Sequence, residues 1–164
     1  MKTNRLFLVP LVISDLELFH TINTNPFVQQ YLWDNETIPK ELSKQILEIS
    51  LSEYANKTGG LWKINEIDSN TCVGYIGFWK FFEEKQSQLL YALLPNYTGK
   101  GYATEAAKKV IEYAFDQLNF NYLVASMDSP NVKSKRVCER LEMQLIEEKD
   151  VEDKPTAFYQ INKH

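Results

Sequence analysis

The stretch that most narrows the fold runs from residue 99 to residue 118. Ala103, Ala106, Ala107, Val110, Ile111, Ala114, Phe115 and Leu118 recur at i, i+3, i+4 and i+7 for four turns, the period of a helix that buries one face. Gly99-Lys100-Gly101 stands just before it, and short β-prone runs flank it at Gln88 to Leu94 and Tyr122 to Met127. Strand, helix and strand predict a layered unit with a right-handed crossover.

The rest of the chain fits around this unit. Arg5 to Pro10 reads as a strand, and Ser14 and Asp15 are residue types that open a helix. Asn25-Pro26 interrupts that helix or starts the next turn. After Pro39, the apolar positions Leu42, Ile46, Leu47, Ile49 and Leu51 predict a helix to about Tyr54, so two helices are expected near the N-terminus. Gly59-Gly60 breaks the chain before a hairpin, Leu61 to Ile67 and Cys72 to Lys80, around Asp68-Ser69-Asn70. Glu83-Glu84-Lys85 is read as the following turn. Ser129-Pro130 opens a shorter helix to about Leu141, and Met143 to Lys149 and Thr156 to Ile161 close as strands around Asp153-Lys154-Pro155. The order β, α, α, β, β, β, α, β, α, β, β predicts an α/β (α+β) fold with a mixed sheet flanked by helices. No linker, repeat or low-complexity segment divides it, and one domain over residues 1–164 is expected.

Composition excludes several functions. A net charge of −4 offers no excess of cations to displace phosphate counterions, so no nucleic-acid partner is expected. Cys72 and Cys138 form no CxxC pair and the histidines are His20 and His164, so no metal is expected. Residues 1–30 carry polar groups every few positions, without the apolar run of a signal peptide or membrane span, and the cytoplasm is the expected location.

The chemistry lies in Asn96-Tyr97-Thr98-Gly99-Lys100-Gly101-Tyr102-Ala103-Thr104-Glu105. A strand-to-helix junction presents free backbone N–H groups, the helix dipole adds about half a positive charge, and glycines let backbone approach a phosphate. Diphosphate is the natural guest, and a plain tight turn is the alternative. A P-loop fails because Leu94 and Gly101 occupy its first glycine and its serine or threonine positions. A dinucleotide fingerprint fails because Thr104 holds its third glycine position and no acid follows about 20 residues on.

The segment resembles the coenzyme A loop of the GNAT superfamily, (Gln or Arg)-x-x-Gly-x-(Gly or Ala), laid on Thr98-Gly99-Lys100-Gly101-Tyr102-Ala103 with Thr98 as the departure. The resemblance extends over nearly the whole chain. It includes Thr3-x-Arg5-Leu6-x-Leu8-x-Pro10, Asp15-Leu16, Asn25-Pro26 to Tyr31-Leu32, Val73-Gly74-Tyr75-Ile76-Gly77-Phe78, Tyr91 to Pro95, Asn131-x-x-Ser134-x-x-Val137 and Glu139-Arg140-Leu141. It looks closest to the branch that acetylates N-termini of ribosomal proteins. The fold it implies is a mostly antiparallel twisted sheet of about seven strands with about four helices.

The resemblance implies acetyl-CoA as co-substrate and direct attack by a neutral amine in a ternary complex. It implies that backbone of Ala92, Leu93 and Leu94 holds pantetheine like an added strand and polarises the thioester carbonyl. Thr98, Gly99, Lys100, Gly101, Tyr102, Ala103 and Thr104 form the cofactor loop, joined by Asn131 and Ser134. Asn131 is alternatively a helix cap, and Ser134 an ordinary helix serine. Many members place an acidic tyrosine where Cys138 stands. No phenol is expected here, and Cys138 is a candidate acid or a small core residue. Ser126 occupies the position of a glutamate base in some relatives, leaving Glu66, Glu105 and Asp128 as candidates. Glu105 is alternatively a dipole partner of its helix. Glu147, Glu148, Asp150, Glu152 and Asp153 receive no role.

Phe27, Tyr31, Trp33, Trp79 and Phe81 are candidate walls for the acceptor. A protein or peptide α-amino group is the expected acceptor. A small-molecule amine such as a polyamine, antibiotic or amino acid, or a non-catalytic acyl-CoA sensor, stands as the alternative. Monomer and homodimer both stay open.

Overall fold

The computed structural model describes residues 1–81 and 86–164, so the turn read at Glu83-Glu84-Lys85 lies outside the described residues. Seven strands and five α-helices are seen among the described residues. They are β1 (Leu6–Pro10), α1 (Leu16–Asn23), α2 (Pro26–Leu32), α3 (Lys40–Ala55), β2 (Gly60–Glu66), β3 (Cys72–Trp79), β4 (Gln88–Leu93), α4 (Tyr102–Asp116), β5 (Tyr122–Asp128), α5 (Val132–Arg140), β6 (Gln144–Val151) and β7 (Lys154–Asn162). None of these helices is long and apolar enough to cross a membrane.

Three helices follow β1 where two were expected. Asn25-Pro26 acts as a start signal: the Asn25 side chain accepts a hydrogen bond from Phe27 N at 3.0 Å, and Pro26 takes the first helical position. The chain therefore restarts as α2 rather than turning away.

The strands form two sheets instead of one mixed sheet. The first has the order β1-β2-β3-β4 and the second β5-β7-β6, with every pairing antiparallel. No ladder joins β4 to β5 among the described residues. A side-chain bond spans them instead, Ser126 Oγ donating to Gln88 Oε1 at 2.6 Å.

Strand alternation sends side chains to both faces of the first sheet. Trp62, Ile64, Ile76 and Phe78 face α4, whose Ala106, Ala107 and Ala114 are fully buried and allow close approach. Leu61, Tyr75 and Ala92 pack on the other face with Phe19 and Ile22 of α1 and Ile46 and Leu47 of α3.

One buried polar residue ties that second layer together. The Asn23 side-chain oxygen accepts from Trp33 Nε1 and from the Tyr75 hydroxyl, each at 2.8 Å, and its amide donates to the Phe19 carbonyl at 2.9 Å. Asn23 thereby fixes the end of α2 to the sheet. Asn23→Leu strands two donors, the buried Tyr75 hydroxyl and the half-buried Trp33 N–H, at a cost of about 1 to 3 kcal/mol each. The melting temperature is expected to fall by roughly 5 to 15 °C. Exposed Thr21→Ala in the same helix should stay within about 0.5 kcal/mol of the parent. Thermal unfolding of both variants measures this, and equal shifts would remove Asn23 from its central place.

Candidate active site

A cavity of about 820 Å³ opens where the two sheets separate. Consecutive residues line it from both strands, Leu89 to Leu93 of β4 and Ala125 to Asp128 of β5. Consecutive lining means that the strand edges face the cavity, since a strand's side chains alternate between faces. Each edge therefore brings unpaired backbone N–H and C=O groups to the cavity wall.

The glycine segment borders the same space. Gly99 and Gly101 have φ of +75° and +81°, and Gly101 caps α4 with no side-chain cap bond. Glu105 N is bonded to the Gly101 carbonyl at 3.0 Å, but the amides of the helix's first turn, Tyr102 to Thr104, have no intrahelical partner. A Cβ on Gly99 meets nothing within 4 Å, whereas one on Gly101 comes within 3.4 Å of Arg5 Nη2. The open space is thus beside Gly99. Thr104 Oγ1 is buried and has no hydrogen-bond partner among the described residues.

Of the residues expected to hold cofactor, Ala92, Leu93, Thr98, Gly99, Gly101, Tyr102, Ala103, Thr104, Asn131 and Ser134 line the cavity, and Leu94 and Lys100 do not. Leu94 N is spent on the Val73 carbonyl at 2.9 Å. The Lys100 ammonium lies over the Tyr97 ring, 5.1 Å from its centre, and its carbonyl accepts from Arg5 Nη1 at 3.0 Å. Thr98 Oγ1 donates to the Pro95 carbonyl at 3.0 Å, so its side chain serves the turn.

Helix α5 supplies the opposite wall. Asn131 Oδ1 accepts from Ser134 N at 3.2 Å, which makes it the N-cap, and its Nδ2 carries two further donor hydrogens. Cys138 also lines the cavity, but it is 2% exposed and burial pushes its thiol up to about 12. An ordinary thiol sits near 8.5, so this one is a poor donor to a departing thiolate.

A phenol does reach the cavity, contrary to expectation. Tyr91 of β4 projects to the α5 side, and its hydroxyl donates to Ser134 Oγ at 3.1 Å. Burial raises its pKa to about 12, against the lowering effect of the Ser134 bond. Alternation from Leu89 and Leu93, which share its face, was the signal in the sequence.

The candidate bases separate cleanly. Glu66 is outside the cavity lining and accepts from Ser69 Oγ at 2.7 Å and from the Tyr102 hydroxyl, bonds that lower its pKa. Glu105 also lies outside the lining, with its oxygens taken by Thr3 Oγ1 at 2.6 Å, Arg5 N at 2.9 Å and Arg5 Nε at 2.7 Å. Burial opposes ionisation of Glu105, but these bonds and the guanidinium hold its carboxyl below the usual range. Asp128 does line the cavity, at the end of β5, and burial raises its pKa, with Lys154 pulling down and Asp34 pushing up. The Ser126 hydroxyl is spent on Gln88.

Of the expected acceptor walls, Phe27, Tyr31 and Phe81 line the cavity, joined by Met127, while Trp33 and Trp79 do not. Trp33 is held by Asn23. Lys154 pairs with Asp34 beside this region, and both line it. Glu152 of the acidic run lines it too, whereas Glu148 pairs with Lys135 and Glu147 with Lys149.

Residues 5–144 match the family model described as an acetyltransferase (GNAT) domain. An uncharacterized N-acetyltransferase of Bacillus subtilis, YnaD, is 26% identical over 87% of this chain and 81% of its own length. Spermidine N(1)-acetyltransferase of Escherichia coli is 24% identical over 80% of this chain and 69% of its own. An acetyltransferase from Agrobacterium tumefaciens superposes with a TM-score of 0.84 at 24% identity, over 99% of this chain and 94% of that one. The ribosomal-protein-S5-alanine acetyltransferase of Vibrio fischeri superposes at 0.81 and 15% identity, over 99% and 95%. A family match over most of the sequence and a shared fold over nearly all of it leave one conclusion: this chain belongs to the GNAT family and is an N-acetyltransferase with acetyl-CoA as its acyl donor.

Proposed function

We propose that this enzyme acetylates the α-amino group of a protein or peptide, with the donor along β4, α4 and α5 and the acceptor entering past α2 and Asp128. The observation that carries the reading is that Asp128 alone, of the three candidate bases, faces the cavity.

Acetyl-CoA brings an activated thioester carbonyl. Three features of the site fit it: the open space beside Gly99, the partnerless Thr104 hydroxyl, and the unpaired edge of β4. The amides from Gly99 to Thr104 hold the diphosphate at the dipole end of α4. Backbone of Ala92 and Leu93 pairs with the pantetheine arm as an added strand, and the Asn131 amide supports it. Ser134, oriented by the Tyr91 hydroxyl, offers a hydrogen bond to the departing sulfur. Cys138 fills space. Asp128 holds the incoming ammonium and accepts its proton.

The acceptor class follows from what Asp128 can do. An α-amino group with pKa near 8 is about one-tenth neutral at pH 7, a penalty near 1.4 kcal/mol, against roughly 4.6 kcal/mol for a lysine side chain. A raised but ordinary carboxylate suits the smaller penalty. The relatives named above act on spermidine and on a protein alanine, both amines. Asp34 is engaged by Lys154, and the cavity that Asp128 lines is also lined by Phe27, Tyr31 and Phe81. Apolar walls of this kind suit a chain N-terminus and its side chain better than a polyamine.

Three substrates decide it: a peptide with free N-terminus and blocked lysine, its converse, and spermidine. The first is expected to show the highest kcat/KM, by about tenfold or more, as the protonation difference implies. Faster turnover of either other substrate overturns the assignment. Asp128→Asn should lower kcat/KM about a hundredfold. In the parent, rate falls with acidification as Asp128 takes up its proton, at a pH above that of an ordinary aspartate because burial raises its pKa. That limb should vanish in Asp128→Asn.

Donor binding has its own test. Coenzyme A at 100 times its dissociation constant adds about 2.7 kcal/mol, or roughly 5 to 10 °C in melting temperature. Gly99→Val should erase that shift, because valine strains a φ of +75° and occupies the open space. An unchanged shift in a folded variant would move the donor site elsewhere.

A further inference from the structure

We infer that Arg5 and Glu105 are positioning residues, a brace that aims the backbone of the glycine loop at the donor's diphosphate. The inference rests on the proposed donor site and adds a device outside the cavity.

The geometry centres on one carbonyl. Arg5 Nη1 donates to the Lys100 oxygen at 3.0 Å. In a trans peptide the C=O of one residue and the N–H of the next point in opposite directions, and the chain has no cis bond among the described residues. Drawing the Lys100 carbonyl outward to Arg5 turns the Gly101 N–H the other way, toward the cavity that Gly101 lines. Gly101 follows at φ +81°, which favours glycine, and a Cβ there would lie 3.4 Å from Arg5 Nη2.

Glu105 holds the guanidinium in place. Its Oε2 accepts from Arg5 Nε at 2.7 Å and pairs with Nη2 at 2.7 Å, and its Oε1 accepts from Arg5 N and Thr3 Oγ1. The guanidinium also stacks over Tyr102, its carbon 4.7 Å from the ring centre. All of these groups lie in the N-terminal segment or the first turn of α4. A planar fork can satisfy a carboxylate on one edge and a carbonyl on another, which a lysine ammonium cannot reproduce. The pairing also cancels a carboxylate that otherwise stands one turn from an anionic ligand. The brace explains the use of an acid that the sequence left as a candidate base.

The test measures coenzyme A binding by calorimetry, amide exchange of residues 99–104 in the free enzyme, and kcat and KM. Arg5→Ala and Arg5→Lys should each weaken coenzyme A about tenfold, the size of one charge-assisted hydrogen bond. Loop amides should exchange faster, KM for acetyl-CoA should rise in step, and kcat should stay within about twofold. Glu105→Gln, which keeps the side-chain shape, should give a smaller loss in the same direction. The double variant Arg5→Ala/Glu105→Gln should be no worse than Arg5→Ala, because the two act as one unit. A lowered melting temperature with unchanged affinity and exchange would reduce the pair to fold stabilisation and overturn the inference, as would a loss confined to kcat. If Gly99→Val also leaves coenzyme A binding intact, the donor site itself is wrong. If Gly99→Val abolishes binding and the Arg5 variants do not weaken it, only the brace fails.

Discussion

Two neighbouring strands that do not hydrogen-bond to each other govern this site. β4 pairs with β3 and β5 pairs with β7, and no ladder joins β4 to β5 among the described residues. Unpaired backbone groups in a dry interior are costly, so such an edge must meet water or a ligand rich in amides. The cavity between the strands leaves room for either. The separation is kept from widening by the Ser126 to Gln88 bond and by α4, whose buried alanines pack on the first sheet and whose core also takes in Leu123 of β5 and Ala157 of β7. The missing ladder is a feature that the surrounding packing sustains.

That packing also sets what stands at each end of the cavity. The alanine face of α4 settles the helix axis, and so brings its first turn and the glycines before it to one end. On the opposite face of the sheet, Asn23 couples Tyr75 of β3 to Trp33 at the end of α2. Phe27 and Tyr31, carried by α2, depend on that coupling for their place on the wall. The glycine-loop end of the cavity and its α2 wall thus depend on separate cores on separate faces of the sheet.

Local periodicity and turn chemistry were readable where they act through near neighbours. Ala103 to Leu118 specified α4, and Gly99 and Gly101 specified a loop with positive φ, because each signal spans only a few residues. The Asn25-Pro26 pair read as an interruption or the start of a turn, and the cap bond to Phe27 makes it the start of a further helix. What lay out of reach were contacts between distant segments: Arg5 with Glu105, 100 residues apart, and Tyr91 with Ser134, 43 apart. Strand order was the missing knowledge. Without it, Tyr91 was one apolar position in a strand, Trp33 and Trp79 were wall candidates by residue type alone, and one mixed sheet was as natural as two antiparallel ones.

The three acids show how neighbours convert equal residues into unequal ones. Glu66 and Glu105 are surrounded by hydroxyl, amide and guanidinium donors that lower their pKa values, which keeps them charged and engaged. Asp128 loses more to burial than Lys154 returns, so its charge is less well compensated and its proton affinity higher. At one end of the cavity, free amides and the α4 dipole favour an anion, and the Glu105 carboxylate is paired with Arg5. At the other, Asp128, Glu152 and Asp34 line the cavity with Lys154, which pairs with Asp34, and Lys133 lies over the Phe27 ring.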